Sequence, residues 1–268
     1  MNDFAKRITA WYRAHRRPLP WRATRDPYKI WLSEVILQQT RVEQGLDYYL
    51  RFIEAYPDVR RLADARETDI LKLWQGLGYY SRARNLHHAA GQVVGEFGGV
   101  FPGTFDEIRK LKGVGDYTAA AIASIAFGEA VAVVDGNVKR VMARIFGITS
   151  TGTSLHRDAG MIMVRELDRH NPGDFNQAVM EFGALVCTPK TPACSNCIFR
   201  DQCYALLKGK IAELPGSAPK IKPRTRYFSY LLINLQGEED GIVVKRRTEN
   251  DIWKNLFDFP LIESEKEL

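Results

Sequence analysis

Residues 111–118, Leu111-Lys112-Gly113-Val114-Gly115-Asp116-Tyr117-Thr118, decide the fold because they join two stretches that both have helical periodicity. Glycine adopts positive φ readily and lets two backbones approach closely, so Gly113 and Gly115 predict a tight turn between helices. The alanine-rich helix predicted after this turn would point its N-terminal amides outwards, where they and the helix dipole favour a phosphate. A tight turn that binds nothing would carry the same two glycines, so both interpretations stay open at this point.

The chain on both sides of this turn shows the apolar spacing of amphipathic helices. Asp26 and Pro27 are the residue types expected at an N-cap and at the first position of a helix. After that first helix we expect further helices at about 41–56, 67–78, 81–97, 104–110, 117–127, 136–146, 155–169 and 175–186. The sequence therefore predicts an all-α body.

The character of the sequence changes after residue 208. Residues 209–226 combine three prolines with basic side chains, which predicts a linker. Residues 227–235 and 242–247 are strand-like and flank a turn signal at 237–241, which predicts a hairpin. The 42 residues that follow the linker are marginal for an independent domain, so we expect a partial α+β segment here.

Composition and charge narrow the class of protein. No stretch approaches the roughly 20 apolar residues of a membrane span, and the N-terminus lacks the apolar run of a signal peptide. We therefore expect no membrane association and a cytoplasmic location, nucleoid-associated in a bacterium, or an organellar or nuclear location in a eukaryote. Residues 1–226 hold 33 basic and 23 acidic side chains. This basic body favours a polyanionic partner, because each neutralised phosphate releases counterions, although a basic protein without such a partner would have the same charge.

The four cysteines all lie in one short window, with the spacing Cys-x6-Cys-x2-Cys-x5-Cys. A disulfide scaffold would spread its cysteines through a short secreted chain, so the window favours a metal site. Four thiolates on one loop can wrap a compact iron–sulfur cluster. Structural zinc is the alternative, but its sites usually pair two short knuckles across a longer gap. The predicted ligands are Cys187, Cys194, Cys197 and Cys203.

Two carboxylates, Glu34 and Asp135, have sequence neighbours that favour a role in catalysis. Glu34 lies among apolar neighbours in Ser-Glu-Val-Ile-Leu-Gln-Gln-Thr (33–40), where desolvation would raise its pKa and suit it to act as a general acid. Asp135 lies at a predicted helix start in Val-Asp-Gly-Asn-Val-Lys-Arg (134–140), where the helix dipole favours an anion. A solvated surface glutamate and a plain N-cap are the alternatives.

These motifs, in this order, resemble those of the MutY-type adenine DNA glycosylases within the endonuclease III and helix-hairpin-helix superfamily. Leu-Pro-Trp-Arg (19–22) and Trp-Gln-Gly-Leu-Gly-Tyr-Tyr-Ser-Arg-Ala-Arg (74–84) add to the resemblance, which covers residues from about 4 to 260.

The resemblance implies an all-α, two-lobed fold. The expected parts are a six-helix barrel (22–131), a cluster lobe (1–21 and 132–208), the linker (209–226) and a partial MutT-like, Nudix-type segment (227–268). That domain's usual Glu-rich helix is not found before Leu268.

The resemblance also implies roles for individual residues. Glu34 would protonate the adenine ring, Asp135 would stabilise the cationic sugar, and Asn137 would order the Asp135 turn. The base would have to flip out of the duplex to reach them. The pocket residues implied are Trp21, Arg22 and Gln177. The residues implied to contact the opposing 8-oxoguanine are Gln39, Thr40 and Tyr79, with Gly113 and Gly115 on the DNA backbone. The cysteines would hold a [4Fe–4S] cluster.

The residue type at position 117 distinguishes two classes of related glycosylases. Bifunctional endonuclease III enzymes carry a lysine there, whose amine attacks the sugar, and a phenol cannot form that imine. The resemblance therefore implies a monofunctional glycosylase, acting in base excision repair as a monomer on duplex DNA with adenine opposite 8-oxoguanine or guanine. A thymine–guanine mismatch glycosylase, which also carries tyrosine here, and a non-catalytic iron–sulfur DNA-binding protein are the alternatives. The strands opening at Tyr227-Phe228 and the 253–260 segment favour the adenine enzyme.

Overall fold

The computed structural model of the chain describes residues 3–216, 225–236, 240–248 and 253–266. The described body is helical, which confirms the all-α expectation. Its helices are α1 (Asp3–His15), α2 (Pro27–Leu37), α3 (Val42–Ala55), α4 (Val59–Ala63), α5 (Glu67–Leu73), α6 (Ser81–Phe97), α7 (Phe105–Ile108), α8 (Asp116–Ala126), α9 (Gly136–Phe146), α10 (Gly152–Glu166), α11 (Pro172–Leu185) and α12 (Tyr204–Leu207). No helix among the described residues is long and apolar enough to cross a membrane.

The first core is built by α2 to α8. Trp31, Phe52 and Trp74 are almost fully buried in it, and the Phe52 and Trp74 rings meet edge to face at 5.7 Å. Seven helices lie between residues 22 and 131, all described, where the sequence predicted six. The additional one is α4, which is only five residues long and begins because the Asp58 side chain accepts the Arg61 N–H at 2.9 Å.

The second core is built by α1 and by α9 to α12. α1 packs against α11, and α11 packs against α9, with Phe4, Phe175 and Phe182 buried among them. Trp21, predicted in this lobe, instead belongs to the first core and packs on Tyr49 at 5.0 Å. The Pro20–Arg22 turn of 3-10 helix therefore carries the chain from one core to the other earlier than predicted.

A buried asparagine joins the two lobes. Asn176 of α11 donates to the Val131 carbonyl at 2.9 Å and to the Ser124 hydroxyl at 3.0 Å, and its Oδ1 accepts the Val133 N–H. Since α8 also packs directly on α11, these two helices form part of the interface between the lobes.

The predicted linker begins later than residue 209. Leu214 is buried in the second core, and its carbonyl accepts the Arg144 Nε at 2.8 Å. Residues 217–224, which contain two of the three linker prolines, lie outside the described residues.

The C-terminal segment holds three small antiparallel pairs. Strand β1 (Tyr227–Tyr230) pairs with β6 (Leu261–Ser264), β2 (Asn234–Leu235) with β3 (Gly241–Ile242), and β4 (Lys245–Arg246) with β5 (Phe257–Asp258). The β2–β3 pair confirms the predicted hairpin, whose turn residues 237–239 lie outside the described residues. The single strand predicted over 227–235 is wrong, because its first half pairs with the distant 261–264 segment instead.

Candidate active site

A cavity of about 230 Å³ lies between the two lobes, lined by side chains from α2, α8, α9 and α11 and from the Pro20–Arg22 turn. It gathers eight of the residues that the sequence analysis singled out. These are Trp21, Arg22, Glu34, Thr40, Tyr117, Asp135, Asn137 and Gln177. The remaining candidates, Gln39, Tyr79, the two turn glycines and the four cysteines, lie elsewhere.

Glu34 projects into this cavity from α2. Its helix neighbours Ser33 and Val35 are buried in the first core, so the carboxyl group stands at an apolar wall. Burial raises the pKa of Glu34 to about 7; the Asp135 carboxylate adds to that rise, while hydrogen bonding to Tyr117 and the charge of Arg22 oppose it. A large fraction of Glu34 is therefore protonated at neutral pH and able to donate a proton.

Asp135 is the N-cap of α9 and a wall of the cavity at once. Its Oδ1 accepts the Val138 N–H at 2.6 Å, and its Oδ2 accepts the Asn137 Nδ2 at 2.9 Å. Burial raises the pKa of Asp135, but these hydrogen bonds and the nearby Arg140 favour the ionised form. Asp135 is therefore an N-cap, as the alternative interpretation holds, and it also lines the cavity.

Tyr117 stands in the first turn of α8, and its hydroxyl hydrogen-bonds the Glu34 carboxyl group and lies 3.7 Å from the Met180 Sδ. Burial raises the pKa of this phenol well above its usual range, and the two carboxylates raise it further. Tyr117 therefore stays protonated beside Glu34, and its phenol contributes no amine to the cavity.

Glu181 is the site residue that the sequence analysis missed. It is 1% exposed, and its carboxylate meets both Arg22 (2.6 Å) and Arg17 (2.6 Å). Burial raises the pKa of Glu181, but the hydrogen bonds from Arg22 and Arg17 outweigh burial and bring it down to about 2. Both ends of the Arg22 guanidinium are engaged by this carboxylate, so Arg22 shapes the cavity from a fixed position. The spacing of Gln177 and Glu181, four residues apart on α11, was the available signal.

Gln39 and Tyr79, the residues implied with Thr40 to contact the opposing base, do not line the cavity. Tyr79 is 58% exposed and Gln39 is exposed, and their φ angles are 47° and 56°, in the left-handed region. Thr40, predicted with them, lines the cavity instead.

The glycine turn before α8 uses its two glycines differently. Gly113 has φ 76°, and a Cβ there would meet Asn85 at 2.6 Å, so both positive φ and close approach apply. Gly115 is extended, with φ −94°, and a Cβ there would meet nothing within 4 Å. Its use for positive φ is therefore wrong; it leaves open space before the N-terminal amides of α8, which have no acceptor within the helix.

The four cysteines surround one small apolar cavity, and none is in a disulfide. Arg144 is buried beside them: it donates to the Cys187 Sγ at 3.6 Å and to the Thr188 and Pro189 carbonyls, which holds the loop in place. In the described part of the chain, no three His, Cys, Asp or Glu side chains stand closely enough to hold a metal ion. The donor set, four free thiols facing one apolar space, nevertheless fits a thiolate-bound cluster.

A line of hydrogen bonds joins the cysteine loop to Asp135. The Arg140 Nε donates to the Cys187 carbonyl at 2.7 Å, and its Nη2 donates to the Asn137 Oδ1 at 2.8 Å. Asn137 in turn donates to Asp135. The position of the cysteine loop therefore bears directly on the orientation of the carboxylate.

Comparison with known proteins gives consistent matches. The family model of the HhH-GPD superfamily base excision DNA repair proteins matches residues 32–160. The adenine DNA glycosylase of Mus musculus is 43% identical over 227 residues, which are 80% of this chain and 44% of that protein. The adenine DNA glycosylase of Buchnera aphidicola (subspecies Baizongia pistaciae) is 36% identical over 260 residues, which are 96% of this chain and 73% of that protein.

A solved structure of a thermostable thymine-DNA glycosylase superposes with a TM-score of 0.70 at 31% identity, covering 76% of this chain and 95% of the other. The chain thus spans less than half of the mouse relative and about three quarters of the bacterial one. Because the match to the bacterial relative runs over nearly the whole chain, C-terminal segment included, the chain belongs to the adenine DNA glycosylase family within the HhH-GPD superfamily of base excision DNA repair proteins.

Proposed function

We propose that the chain removes adenine from duplex DNA in which adenine stands opposite 8-oxoguanine or guanine. The observation that carries this proposal is the pair of carboxyl groups, Glu34 and Asp135, on one cavity between two lobes. Their surroundings differ: Glu34 has a pKa of about 7 and few partners, whereas Asp135 accepts hydrogen bonds that favour its anion. Such a pair supplies one acid and one anion at the same pH.

The reaction follows from this division. A base flipped into the cavity would receive the Glu34 proton on a ring nitrogen, which makes the base a better leaving group. The bond from the sugar C1′ to the base then breaks, and its electron pair leaves with the base. The cationic sugar is stabilised by the Asp135 carboxylate until water adds at C1′, and the proton that this water loses returns to the Glu34 carboxylate. The products are free adenine and an abasic sugar, and no strand is cut because Tyr117 offers no amine.

The surfaces around the cavity suit a bent duplex. The amides at the start of α8 have no acceptor within the helix, and nothing lies within 4 Å of a Cβ built at Gly115 just before them, so this turn favours a phosphate. Gln39, which precedes the cavity residue Thr40, and the Tyr79 ring are both exposed, and an aromatic wedge of this kind can enter a base step and meet the opposing base. Duplex DNA is therefore the proposed partner.

The cysteine loop is proposed to hold a [4Fe–4S] cluster through Cys187, Cys194, Cys197 and Cys203. With all four ligands supplied by the protein, the cluster would contribute structure rather than substrate chemistry. The chain's own residues, Arg144 and Arg140, would fix the loop against α9 and thereby the Asp135 turn.

Thymine removal is the competing function, since the thermostable thymine-DNA glycosylase is a close structural match. That match covers 76% of this chain, whereas the adenine DNA glycosylase of Buchnera aphidicola matches 96% of it, and this difference favours adenine.

The test is release of free base from duplexes that carry A opposite 8-oxoguanine, A opposite G, or T opposite G. We expect adenine from the first two and no thymine from the third. Glu34→Gln should lower the single-turnover rate by at least about a hundredfold, whereas Glu96→Gln, on the exposed face of α6, should leave it unchanged. Release of thymine without adenine would overturn the proposal, and so would full activity in Glu34→Gln.

A further inference from the structure

We propose that Arg82 is a positioning residue: its guanidinium holds the Gln39 loop (38–41) and the Tyr79 loop (74–80) in the arrangement that reads the base opposite the excised adenine. This inference rests on the proposed function, in which these two loops contact the duplex. Arg82 itself lies in the first turn of α6 and lines no part of the catalytic cavity.

The guanidinium bridges two loops that are separate in sequence. One nitrogen, Nη1, points at carbonyl oxygens of the last turn of α2 and the residue after it, namely Val35 (3.1 Å), Ile36 (3.1 Å) and Gln38 (2.5 Å). The other, Nη2, points at the Leu77 and Gly78 carbonyls at 3.3 and 3.4 Å. Carbonyls at a helix C-terminus lack N–H donors within the helix and attract a cation, so Arg82 caps α2 while it holds the Tyr79 loop.

The residues that follow these acceptors have unusual backbone conformations. Among the described residues, only Gln39, Tyr79 and Asn255 are non-glycine residues with positive φ. Gln39 directly follows Gln38, and Tyr79 directly follows Gly78, so each lies next to a carbonyl that Arg82 binds. Left-handed conformations of such residues persist only where the surroundings impose them.

The exposed side chains do not impose these conformations. Tyr79 is 58% exposed, and its ring centroid lies 5.7 Å from the Arg82 guanidinium carbon. Arg82 therefore contacts the Tyr79 ring as well as the Gly78 carbonyl that precedes it. The guanidinium carbon also lies 5.1 Å from the centroid of the buried Trp74 ring. Arg82 therefore contacts both the core, through Trp74, and the exposed Tyr79 ring.

The chemistry of the contact points to arginine specifically. A planar fork with several donors can reach two loops at once, which a lysine ammonium cannot do in the same geometry. In the part of the chain that the structure describes, the Arg82 guanidinium donates to five carbonyl oxygens and, at 3.5 Å, to the Thr40 hydroxyl, while its Nε is buried without a hydrogen-bond partner. A buried N–H without a partner lowers the stability of the fold, and the contacts made by the Nη1 and Nη2 atoms of Arg82 have to offset that loss.

The experiment is a double-mutant cycle. Arg82→Gln and Arg82→Lys are made in the full chain and in a Gln39→Ala, Tyr79→Ala background, with Arg84→Gln as the matched control. Arg84 lies on the same helix and donates to the Lys254 carbonyl in the C-terminal segment. The readouts are Kd for duplexes with A opposite 8-oxoguanine and A opposite G, single-turnover excision at saturating enzyme, and the thermal midpoint. For Kd, the adenosine carries a 2′-fluoro group that blocks excision.

We expect both Arg82 variants to lower the binding preference for 8-oxoguanine over guanine by about tenfold, with the saturated excision rate changed less than about threefold. In the double-alanine background the same substitutions should change the preference less than about twofold, because Arg82 acts through the two side chains already removed. Arg84→Gln should leave the preference unchanged.

Equal losses in both backgrounds would overturn the inference, as would a fall in excision that follows the thermal midpoint without a change in preference. A chain that binds the 8-oxoguanine duplex preferentially but releases no adenine would contradict the proposed function alone, because the cycle would still test Arg82 through binding. A wild-type chain with no preference for 8-oxoguanine would overturn the inference directly.

Discussion

Replacing Glu34 by glutamine should stabilise the folded chain while it abolishes excision. The folded chain holds a proton on Glu34 up to a pKa of about 7, whereas the unfolded chain releases it near 4.5. Between these two pKa values the folded state binds more protons than the unfolded state. The free energy of unfolding is therefore highest below pH 4.5 and falls as the pH rises towards 7. Glutamine carries no charge and does not suffer this loss.

The magnitude follows from the pKa difference. A rise in the pKa of Glu34 from 4.5 to about 7 corresponds to about 3 kcal/mol of folding free energy. At pH 8 the Glu34→Gln chain should therefore unfold about 6–12 °C above the wild type, since about 1 kcal/mol shifts the midpoint of a domain of this size by about 2–4 °C. At pH 4.5 the two midpoints should nearly coincide.

Thermal unfolding followed by circular dichroism at pH 4.5, 6 and 8 measures this difference. Glu96→Gln, with an exposed carboxylate on α6, is the control and should show little pH-dependent change. A Glu34→Gln midpoint that differs from the wild type by the same amount at every pH would refute the reasoning, because only a titrating group gives a gap that grows with pH.

Three further predictions test the site. Excision at subsaturating enzyme should fall about tenfold per pH unit above pH 7, since protonated Glu34 is the active form, and a flat profile up to pH 9 would contradict this. Tyr117→Lys should place an amine at the cavity and make the enzyme trappable on DNA by borohydride; efficient trapping of the unaltered chain would show that its lack of a lysine there is irrelevant. Cys197→Ser should lose iron and the yellow-brown absorption together, whereas stoichiometric zinc in colourless, anaerobically purified protein would favour the zinc alternative.

Local sequence patterns predicted those features that neighbouring residues determine. The Asp26 and Asp135 side chains cap α2 and α9 as their patterns indicate, because a cap needs only the next few backbone amides. The helix periodicity similarly follows from residues within a few turns of one another. α4 escaped prediction because a five-residue helix is too short to show a period.

Features that depend on distant residues were not predictable in this way. Glu181 meets Arg17 across 164 positions of sequence, and its own surroundings in the chain are those of an ordinary helix. The acceptors of Arg82 are carbonyl groups, which every residue possesses and which therefore leave no trace in the sequence. The strand at 227–230 was given the wrong extent because its partner, 261–264, lies beyond the hairpin that looked sufficient.

The resemblance to known glycosylases supplied the roles that neither kind of pattern contains. Trp21, Thr40 and Gln177 are separated by up to 156 positions, and nothing in their local spacing indicates that they line one cavity. What the resemblance did not give was how Arg22 is held, since that depends on the buried Glu181 carboxylate.

The packing of α1 on α11 has a consequence for how the chain is made. The ribosome produces α1 well before its partner α11, which begins at Pro172, so at about 5–20 residues per second α1 waits on the order of ten to thirty seconds. During that interval the apolar face of α1, with Phe4, Ile8 and Tyr12, has no α11 to cover it. The lobe made by α2 to α8 is contiguous in sequence and can finish folding meanwhile. We therefore expect the α2–α8 lobe to fold before α1 packs on α11. Until then, a chaperone that binds exposed apolar helices should bind α1.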